Sequence, residues 1–359
     1  MLGFLKSRKQ DWSAEILPAG RRVEVRAGDN LLKAALEAGL AWPHDCRVGS
    51  CGTCRCTLKE GRIKPLSDFS YVLDGEQLNA GMILACQTSP RSDLVVEVAL
   101  DAENAVSVTS NPGVIKAIDR LTHDIVELSV NINGASPPEY IAGQYAELAV
   151  QGIEKPRSYS FARAPGDKSG CDLTFFVRRV PGGEFTEWLF GGDRTGTALT
   201  ISAPYGAFWL RPGKQPIVCV AGGSGLAPIK ALLEAAHDAA IQRDVTFLFG
   251  ARTQKDLYCL DAMETLESAW SGERFEFVPV LSEEPSDSDW GGARGLVTDY
   301  LQKHYVDTGA IDMKACQGYL CGPPPMIDAA IAVMNAAGLS DERIFFDKFL
   351  DASTMPAGR

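Results

Sequence analysis

Four cysteines constrain the fold of this chain more than any other feature. Three of them, Cys46, Cys51 and Cys54, are spaced C-x4-C-x2-C, and 31 residues separate the third from Cys86. Two irons bridged by two sulfides need four thiolates, and this asymmetric spacing is the plant-type [2Fe–2S] pattern. The alternatives are a zinc site, which usually takes two C-x2-C pairs, and a set of buried core cysteines. The spacing favours the cluster and predicts these four cysteines as its ligands.

Two glycines in the cysteine loop support this prediction. Gly49 lies between Cys46 and Cys51, and Gly52 lies between Cys51 and Cys54. Glycine lets the backbone turn tightly and come close to a cluster, where main-chain N–H groups reach the sulfurs. Because a one-electron centre needs a donor and an acceptor, other parts of the chain are expected to load or unload it.

Length and composition indicate a globular protein of two or three domains. The chain has 359 residues, of which 45% are hydrophobic and 23% charged, and both fractions are ordinary for globular proteins. The net charge of −11 argues against nucleic-acid binding, which usually shows as a basic domain. Ten cysteines are too few for a disulfide scaffold and favour a reducing, cytoplasmic compartment.

Residues 1–15 are expected to form an N-terminal tail outside the folded domains. They lack the long apolar core and the cleavage site of a signal peptide. Apolar residues followed by basic ones leave a weak interfacial anchor as an alternative to a frayed tail. No 18-residue apolar stretch occurs, so no transmembrane segment is predicted, and any membrane location would be peripheral, through a partner.

Residues 16–100 are predicted to form a small α+β domain of the β-grasp type around the cluster. Arg22–Arg26 alternates like a strand, and Asn30 is placed to cap a helix that ends at Gly39. The ligand loop follows, and the strand Leu94–Val98 closes the domain. A short polar linker is expected over residues 101–112.

Two further domains are predicted after the linker. Residues 113–210 contain closely spaced strand patterns punctuated by Gly and Pro, which indicates an antiparallel β-barrel. Residues 211–359 alternate strand and helix patterns, which indicates an α/β domain with a parallel sheet and helices on both faces.

A glycine-rich turn opens the third domain. Gly222, Gly223, Ser224 and Gly225 join a buried strand to a helix that is predicted to begin at Pro228. Successive N–H groups and a helix start suit a pyrophosphate. The run is not the G-x-G-x-x-G fingerprint, and close packing also selects glycine, so the phosphate site and a packing role both remain open.

Several motifs together resemble the ferredoxin–NADP reductase superfamily. Residues 156–161 read Pro-Arg-Ser-Tyr-Ser-Phe, which alone would be an ordinary solvated strand edge. Further similar stretches are 189–196, 256–261 and 318–326, the last reading Gly-Tyr-Leu-Cys-Gly-Pro-Pro-Pro-Met. The chain is similar to the branch of oxygenase reductases that carry an N-terminal plant-type ferredoxin, from the cluster loop to the C-terminus.

The resemblance implies an FAD site in the barrel. The family motif R-x-Y-S falls on Arg157, Ser158, Tyr159 and Ser160. Arg157 would then hold the FAD phosphates, Tyr159 would stack on the isoalloxazine, and Ser160 would hydrogen-bond near flavin N5. A second phosphate loop falls on the glycine pair Gly182 and Gly183 followed by Thr186, where many relatives carry serine.

The resemblance also implies a nicotinamide site in the third domain. Cys321, Gly322 and Pro323 match the family motif on the nicotinamide side, with Cys321 beside the position of hydride transfer. Ser160 and Cys321 are therefore the expected catalytic residues. Asp347 stands where many relatives have Glu, which leaves its role open, and Phe349 follows it.

The implied function is a reductase that passes electrons from NADH through FAD and the [2Fe–2S] cluster to a terminal oxygenase or hydroxylase acting on aromatic or hydrocarbon substrates. A membrane diiron hydroxylase is the favoured partner. A Rieske dioxygenase, a non-oxygenase partner and a passive electron carrier with a degenerate flavin site are the alternatives.

NADH is favoured over NADPH. Arg252 and Lys255 follow a predicted strand end, and an arginine near the adenosine ribose can bind a 2′-phosphate. Asp256 lies in the same turn and would repel that phosphate, and the run resembles that of NADH-using reductases. Arg252 is then expected to meet the pyrophosphate or the adenine.

Overall fold

A computed structural model describes residues 10–44, 47, 49, 52–100, 108–132, 137–166 and 172–349. The predicted ligands Cys46 and Cys51 and most of the predicted linker lie outside the described residues. The chain forms two compact units. The first is Met1–Val108 with Tyr205–Ala207, and the second is Thr109–Pro204 with Phe208–Arg359.

The first unit is a strand-rich domain with one longer helix. Its elements are β1 (Trp12–Leu17), β2 (Arg21–Val25), α1 (Leu31–Glu37), β3 (Arg55–Glu60), β4 (Ile63–Pro65), α2 (Gly75–Asn79), β5 (Met82–Leu84), β6 (Thr88–Pro90) and β7 (Leu94–Glu97). Five strands form a mixed sheet in the order β2-β1-β7-β3-β5, and β4 pairs with β6. Asn30 caps α1 as predicted, because its Oδ1 accepts from the Lys33 N–H at 2.8 Å. This is the predicted β-grasp domain.

The second unit begins with a barrel of antiparallel strands. Its elements are β8 (Thr109–Arg120), β9 (Ile125–Ile132), β10 (Tyr145–Val150), β11 (Arg157–Ser160), β12 (Asp172–Arg178), α3 (Glu184–Phe190) and β13 (Ala198–Tyr205). The strand order is β11-β10-β13-β8-β9-β12. A bridge between Phe161 and Phe175 joins the two ends of that order, so the sheet is nearly closed. Phe161 and Phe175 are themselves fully buried in the barrel core.

A parallel sheet completes the second unit. Its elements are β14 (Ile217–Gly222), α4 (Leu226–Asp238), β15 (Val245–Ala251), α5 (Leu260–Ala269), β16 (Phe275–Leu281), β17 (Ala293–Arg294), α6 (Val297–Leu301), β18 (Gln317–Gly322), α7 (Pro324–Ala336) and β19 (Ile344–Lys348). The order is β17-β16-β15-β14-β18-β19, with every pairing parallel. The order in which strands are added to the sheet therefore reverses between β14 and β18. Ligands bind at such a switch point in parallel sheets.

Both faces of the parallel sheet are covered, as the alternation along β14 requires. Cys219 and Ala221 belong to the core on the side of α4, whereas Val218 and Val220 belong to the core on the side of α7.

Several boundaries differ from the predictions. β1 begins at Trp12, inside the predicted tail of residues 1–15, because its pairing with β2 and β7 buries Ala14. β8 begins at Thr109, inside the predicted linker of residues 101–112. α4 begins at Leu226 and contains Pro228 in its first turn, where N–H groups have no intrahelical acceptor and proline is tolerated.

Candidate redox site

Two of the four predicted cluster ligands are described, and the strands hold them side by side. Cys54 lies directly before β3, and Cys86 lies in the turn Ala85–Gln87 directly after β5. The antiparallel pairing of β3 with β5 and a hydrogen bond from the Ala85 N–H to the Cys54 carbonyl (3.1 Å) bring the two segments together. Both cysteines are buried. The geometry therefore suits a common metal group at this place.

The surroundings of these cysteines fit an iron–sulfur cluster. Gly49 and Gly52 have positive φ angles of +84° and +75°, as expected for a tight ligand loop. A Cβ on Gly49 would lie 2.6 Å from Gln87 Cγ, so glycine lets the loop pack against the residue that follows Cys86. Burial raises the pKa of the Cys56 thiol and favours its neutral form.

His44, just before the ligand loop, is a neutral structural residue of the first unit. Its Nε2 accepts from the Gly206 N–H at 3.2 Å, so its Nδ1 carries the proton and donates to the Trp42 carbonyl at 2.7 Å. Burial lowers the pKa of His44 to about 4. The imidazole thus fixes the chain that enters the loop.

The predicted flavin motif forms β11, an end strand of the barrel order. Arg157 and Tyr159 share one face of the strand, since alternate residues point the same way. On the other face Ser158 is exposed and Ser160 is buried. The Tyr159 ring centroid lies 5.3 Å from that of Phe185, and burial raises the pKa of the Tyr159 phenol. A cation and a ring on one face suit the phosphates and the ring system of one dinucleotide.

The chain orients the Arg157 guanidinium towards the glycine pair. Its Nη1 donates to the carbonyls of Lys155 (2.6 Å) and Pro156 (3.3 Å), and its Nη2 lies 3.7 Å from Glu184 Oε2. Glu184 begins α3, directly after Gly182–Gly183. The two predicted phosphate-binding segments therefore meet, and a forked cation beside main-chain N–H groups fits FAD phosphates.

The resemblance places the Thr186 hydroxyl in a phosphate loop, and in the structure this hydroxyl is bonded within the glycine turn itself. Its Oγ1 accepts from the Val180 N–H at 3.0 Å and lies 3.1 Å from the Val180 carbonyl and 3.2 Å from the Gly183 carbonyl. Its single proton is donated to one of these carbonyls. A Cβ on Gly183 would lie 2.8 Å from the same Oγ1. The hydroxyl holds the glycine turn closed, which leaves the main chain of the turn to meet a phosphate.

The glycines at the ends of β14 and β18 and in the turn after β14 divide into packing and open positions. A Cβ on Gly225 would lie 2.3 Å from the Cys321 carbonyl oxygen, and one on Gly222 would lie 2.7 Å from Met326 Sδ. A Cβ on Gly322, whose φ is +141°, would lie 2.9 Å from the Gly222 carbonyl oxygen. Close packing therefore explains Gly222, Gly225 and Gly322. Only the middle of the turn stays open to a ligand: Gly223 and Ser224 are partly exposed.

Two residues that the sequence interpretation missed lie beside this open part of the turn. Arg178 ends β12, and its Nη1 lies 3.7 Å from where a Cβ on Gly223 would be. Its Nε donates to Asp124 Oδ2 at 3.0 Å. The barrel thus brings a cation over the glycine turn of the parallel sheet. The available sequence signal was the pair Arg178–Arg179 shortly before the Gly182–Gly183 loop, but nothing in the sequence linked Arg178 to Asp124.

Arg252 is held by two carboxylates. Its Nη2 lies 3.0 Å from Asp256 Oδ1 and 3.4 Å from Asp124 Oδ2. Burial acts to raise the pKa of Asp256, but hydrogen bonds from Thr253 and the charge of Arg252 outweigh it and lower that pKa. Asp256 is therefore an anion near neutral pH, as the sequence interpretation assumed, and it partly neutralises Arg252.

The two predicted catalytic residues converge on Asp347. The Ser160 hydroxyl donates to Asp347 Oδ2 at 3.4 Å, although 187 positions separate these residues. Asp347 on β19 lies directly opposite Cys321 on β18 in the parallel register. Both Asp347 and Cys321 are buried. Pro323 precedes α7, and the Phe349 N–H donates to the Gly322 carbonyl at 2.9 Å, which fixes the chain after Asp347.

None of the described helices is long and apolar enough to cross a membrane.

Three family models match successive parts of the chain. They are the 2Fe-2S iron-sulfur cluster binding domain at residues 14–91, the oxidoreductase FAD-binding domain at 112–209 and the oxidoreductase NAD-binding domain at 219–331. Their order is the one that the motifs predict.

Curated relatives are similar over nearly the whole chain. The xylene/toluene monooxygenase electron transfer component XylA of Pseudomonas putida is 46% identical over 333 residues, covering 92% of this chain and 91% of its own. The phenol 2-monooxygenase reductase component DmpP of Pseudomonas sp. (strain CF600) is 33% identical, with 95% of each chain covered. The reductase component of the naphthalene 1,2-dioxygenase system of Pseudomonas putida is 33% identical, covering 93% of this chain and 97% of its own.

Solved structures share the fold. The cytochrome P450 reductase GcoB of Amycolatopsis superposes with a TM-score of 0.80 at 31% identity, covering 94% of this chain and 98% of that one. The ferredoxin reductase in carbazole 1,9a-dioxygenase has a TM-score of 0.73 at 26% identity, covering 95% of this chain and 99% of that one.

Proposed function

The chain belongs to the ferredoxin–NADP reductase superfamily, in the branch of oxygenase reductases with an N-terminal [2Fe–2S] domain, and from this premise we propose how its residues serve electron transfer and which partner it serves. It is an oxidoreductase with 2Fe-2S, FAD and NAD domains. When bound, FAD exchanges a hydride with the nicotinamide and single electrons with the cluster. The observation that carries the proposal is the convergence of Ser160 and Cys321 on Asp347.

The residues of the flavin motif, together with Asp347 and Cys321, bind and orient the reacting groups. Arg157 and the Gly182–Gly183 turn hold FAD phosphates, and Tyr159 covers the flavin ring. Ser160 keeps the proton on its hydroxyl, and Asp347 fixes the direction of the O–H bond by accepting a hydrogen bond from it. Cys321, buried near the end of β18, packs beneath the nicotinamide ring.

NADH is the proposed electron donor. A 2′-phosphate adds up to two negative charges and calls for a free cation near the adenosine ribose. Asp256 and Asp124 occupy the Arg252 guanidinium, and the chain that follows β16 carries Glu283 and Glu284 on the same edge of the sheet. The Glu283 N–H donates to the Arg252 carbonyl at 2.8 Å, so these acidic residues lie beside Arg252. Together these carboxylates support a preference for NADH.

Steady-state kinetics decides this preference. We expect kcat/KM for NADH to exceed that for NADPH by at least tenfold, on the order of the 1.4 kcal/mol that a tenfold preference represents. A tenfold or larger preference for NADPH would contradict the proposal and would point to Arg252 as the phosphate ligand.

The proposed acceptor is a membrane diiron hydroxylase that acts on aromatic hydrocarbons, which the reductase would meet as a peripheral cytoplasmic component. The identity to the xylene/toluene monooxygenase component supports it, because the other monooxygenase and dioxygenase reductases reported above are less similar. The reductase of the naphthalene 1,2-dioxygenase system supports a Rieske dioxygenase as the second candidate.

Two measurements test the function. Addition of NADH to the loaded protein without oxygen should bleach both the flavin and the cluster absorbance, whereas a passive carrier would show no bleaching. Purified hydroxylases of the two classes should then be compared as acceptors. Coupled oxygen uptake and product formation with the Rieske enzyme alone would overturn the diiron proposal.

A further inference from the structure

Ser67 has a buried hydroxyl that no described residue satisfies. Its Oγ is shielded from solvent and has no hydrogen-bond partner within the described chain. Buried hydroxyls nearly always have a partner in native proteins, so an unsatisfied one calls for an explanation such as a bound group.

The hydroxyl lies between the two segments that bear the predicted cluster ligands. On one side, the Leu66 N–H donates to the Gln87 carbonyl at 2.8 Å, which ties the chain before Ser67 to the residue after Cys86. On the other side, Ser67 Oγ lies 3.1 Å from where a Cβ on Gly49 would be, and Gly49 belongs to the ligand loop. The absence of a side chain at Gly49 therefore lets this hydroxyl come close to the loop.

We propose that the Ser67 hydroxyl donates a hydrogen bond to a sulfur of the [2Fe–2S] site and thereby raises the reduction potential of the cluster. A bound cluster adds sulfide and thiolate sulfurs, which are acceptors, between the Gly49 and Cys86 segments. The reduced cluster carries one more negative charge than the oxidised one, so a donor to sulfur stabilises the reduced form more. Ser67 is thus a positioning residue that tunes the one-electron centre, and this inference rests on the cluster in the proposed function.

The test is the midpoint potential of the cluster in the full-length protein loaded with FAD and iron–sulfur cluster. Ser67→Ala should shift the potential to more negative values in a redox titration followed by electron paramagnetic resonance. It should also remove one exchangeable-proton coupling from the electron–nuclear double resonance spectrum of the reduced cluster. Ser67→Thr keeps a hydroxyl and should retain both the potential and the coupling.

The matched control is Ser70→Ala. Ser70 lies in the same segment, but its exposed hydroxyl donates to Asp68 at 2.8 Å, so its loss should leave the potential unchanged. Flavin reduction by NADH is measured in every variant, so a failure of the proposed function is distinguishable from a failure of this inference.

A wild-type potential and coupling in a fully loaded Ser67→Ala variant would overturn the inference. If Ser67→Ala does not retain iron, Ser67→Gly removes the same hydroxyl and is titrated instead. Loss of the cluster from both of these variants, with retention in Ser67→Thr, would also overturn it, because the hydroxyl would then support the loop rather than tune the cluster.

Discussion

Asp347 is the residue that joins the proposed flavin and nicotinamide sides of the site. It accepts from Ser160 of the barrel at 3.4 Å and lies opposite Cys321 in the parallel sheet. The sequence left its role open, because Asp stands where many relatives carry Glu. The shorter side chain still reaches the serine, since β19 runs directly beside β18 and the Phe349 N–H anchors the following chain.

Ser160→Ala should slow hydride transfer while FAD stays bound. A hydrogen bond to a charged group contributes about 1.5–3 kcal/mol, which corresponds to a rate loss of roughly tenfold to hundredfold if it acts in the transition state. Stopped-flow flavin reduction by NADH measures the rate, and Asp347→Asn should produce a loss of the same order. The control is Asp328→Asn, because Asp328 is exposed and pairs with Lys348 at 2.6 Å. Unchanged hydride transfer in Ser160→Ala would remove this serine from the catalytic residues.

Arg157→Ala should weaken FAD binding about tenfold to hundredfold, because a charge-assisted phosphate contact of roughly 1.5–3 kcal/mol is lost. Fluorescence titration of the apoflavoprotein gives the affinity. Lys155→Ala is the matched control, since Lys155 is an exposed cation two positions away. Equal FAD affinity in the Arg157 and Lys155 variants would show that the guanidinium does not hold the phosphates.

At the scale of elements, strands, helices and the type of each sheet were predictable, whereas long-range contacts were not. The helix expected between the cap Asn30 and Gly39 is α1, because an N-cap residue, apolar periodicity and a closing glycine are all local signals. The start of α4 was misplaced by two residues, because proline fits any position of the first turn. The contact of Arg178 with Asp124, and that of Ser67 with the ligand loop, depend on how separate strands come together. Local patterns do not contain that information.

Gly225→Ala should disturb the β14–α4 turn. The new Cβ would lie 2.3 Å from the Cys321 carbonyl oxygen, so strand or turn must shift. Overpacking of this kind costs about 1–3 kcal/mol of the free energy of unfolding, and NADH binding should weaken with it. Thermal unfolding and nucleotide titration measure the two effects. Gly291→Ala serves as the control, because no atom lies within 4 Å of its added Cβ. Full stability and NADH affinity in Gly225→Ala would contradict the packing role.

At the scale of the whole molecule, the proposed cluster ligands and the proposed hydride site belong to different compact units. Cys54 and Cys86 lie in the first unit, whereas Ser160, Cys321 and Asp347 lie in the second. The identity of the three domains followed from motifs and resemblance, and the family models confirm it. Because of this separation, a substitution in one unit can impair electron transfer through the cluster while flavin reduction by NADH in the other unit is retained.

Cys86→Ala should abolish the cluster but spare flavin reduction. Iron and sulfide content should fall to background, and reduction of cytochrome c through the cluster should be lost, while NADH still bleaches the flavin at the wild-type rate. Cys56→Ala is the matched control, since Cys56 is also buried in the first unit but packs in its core. Full iron and sulfide content in Cys86→Ala would show that this cysteine is not a ligand.

The glycine contacts between β14 and β18 also limit how descendants of this chain can diverge. The distance between the turn and Cys321 is fixed by main chain touching main chain at Gly225 and Gly322, not by the size of core side chains. Substitutions elsewhere in the sheet can accumulate without displacing the hydride site, whereas these two positions admit almost no drift. Variants of this chain can therefore change their surfaces while the spacing between the β14 turn and β18 stays the same.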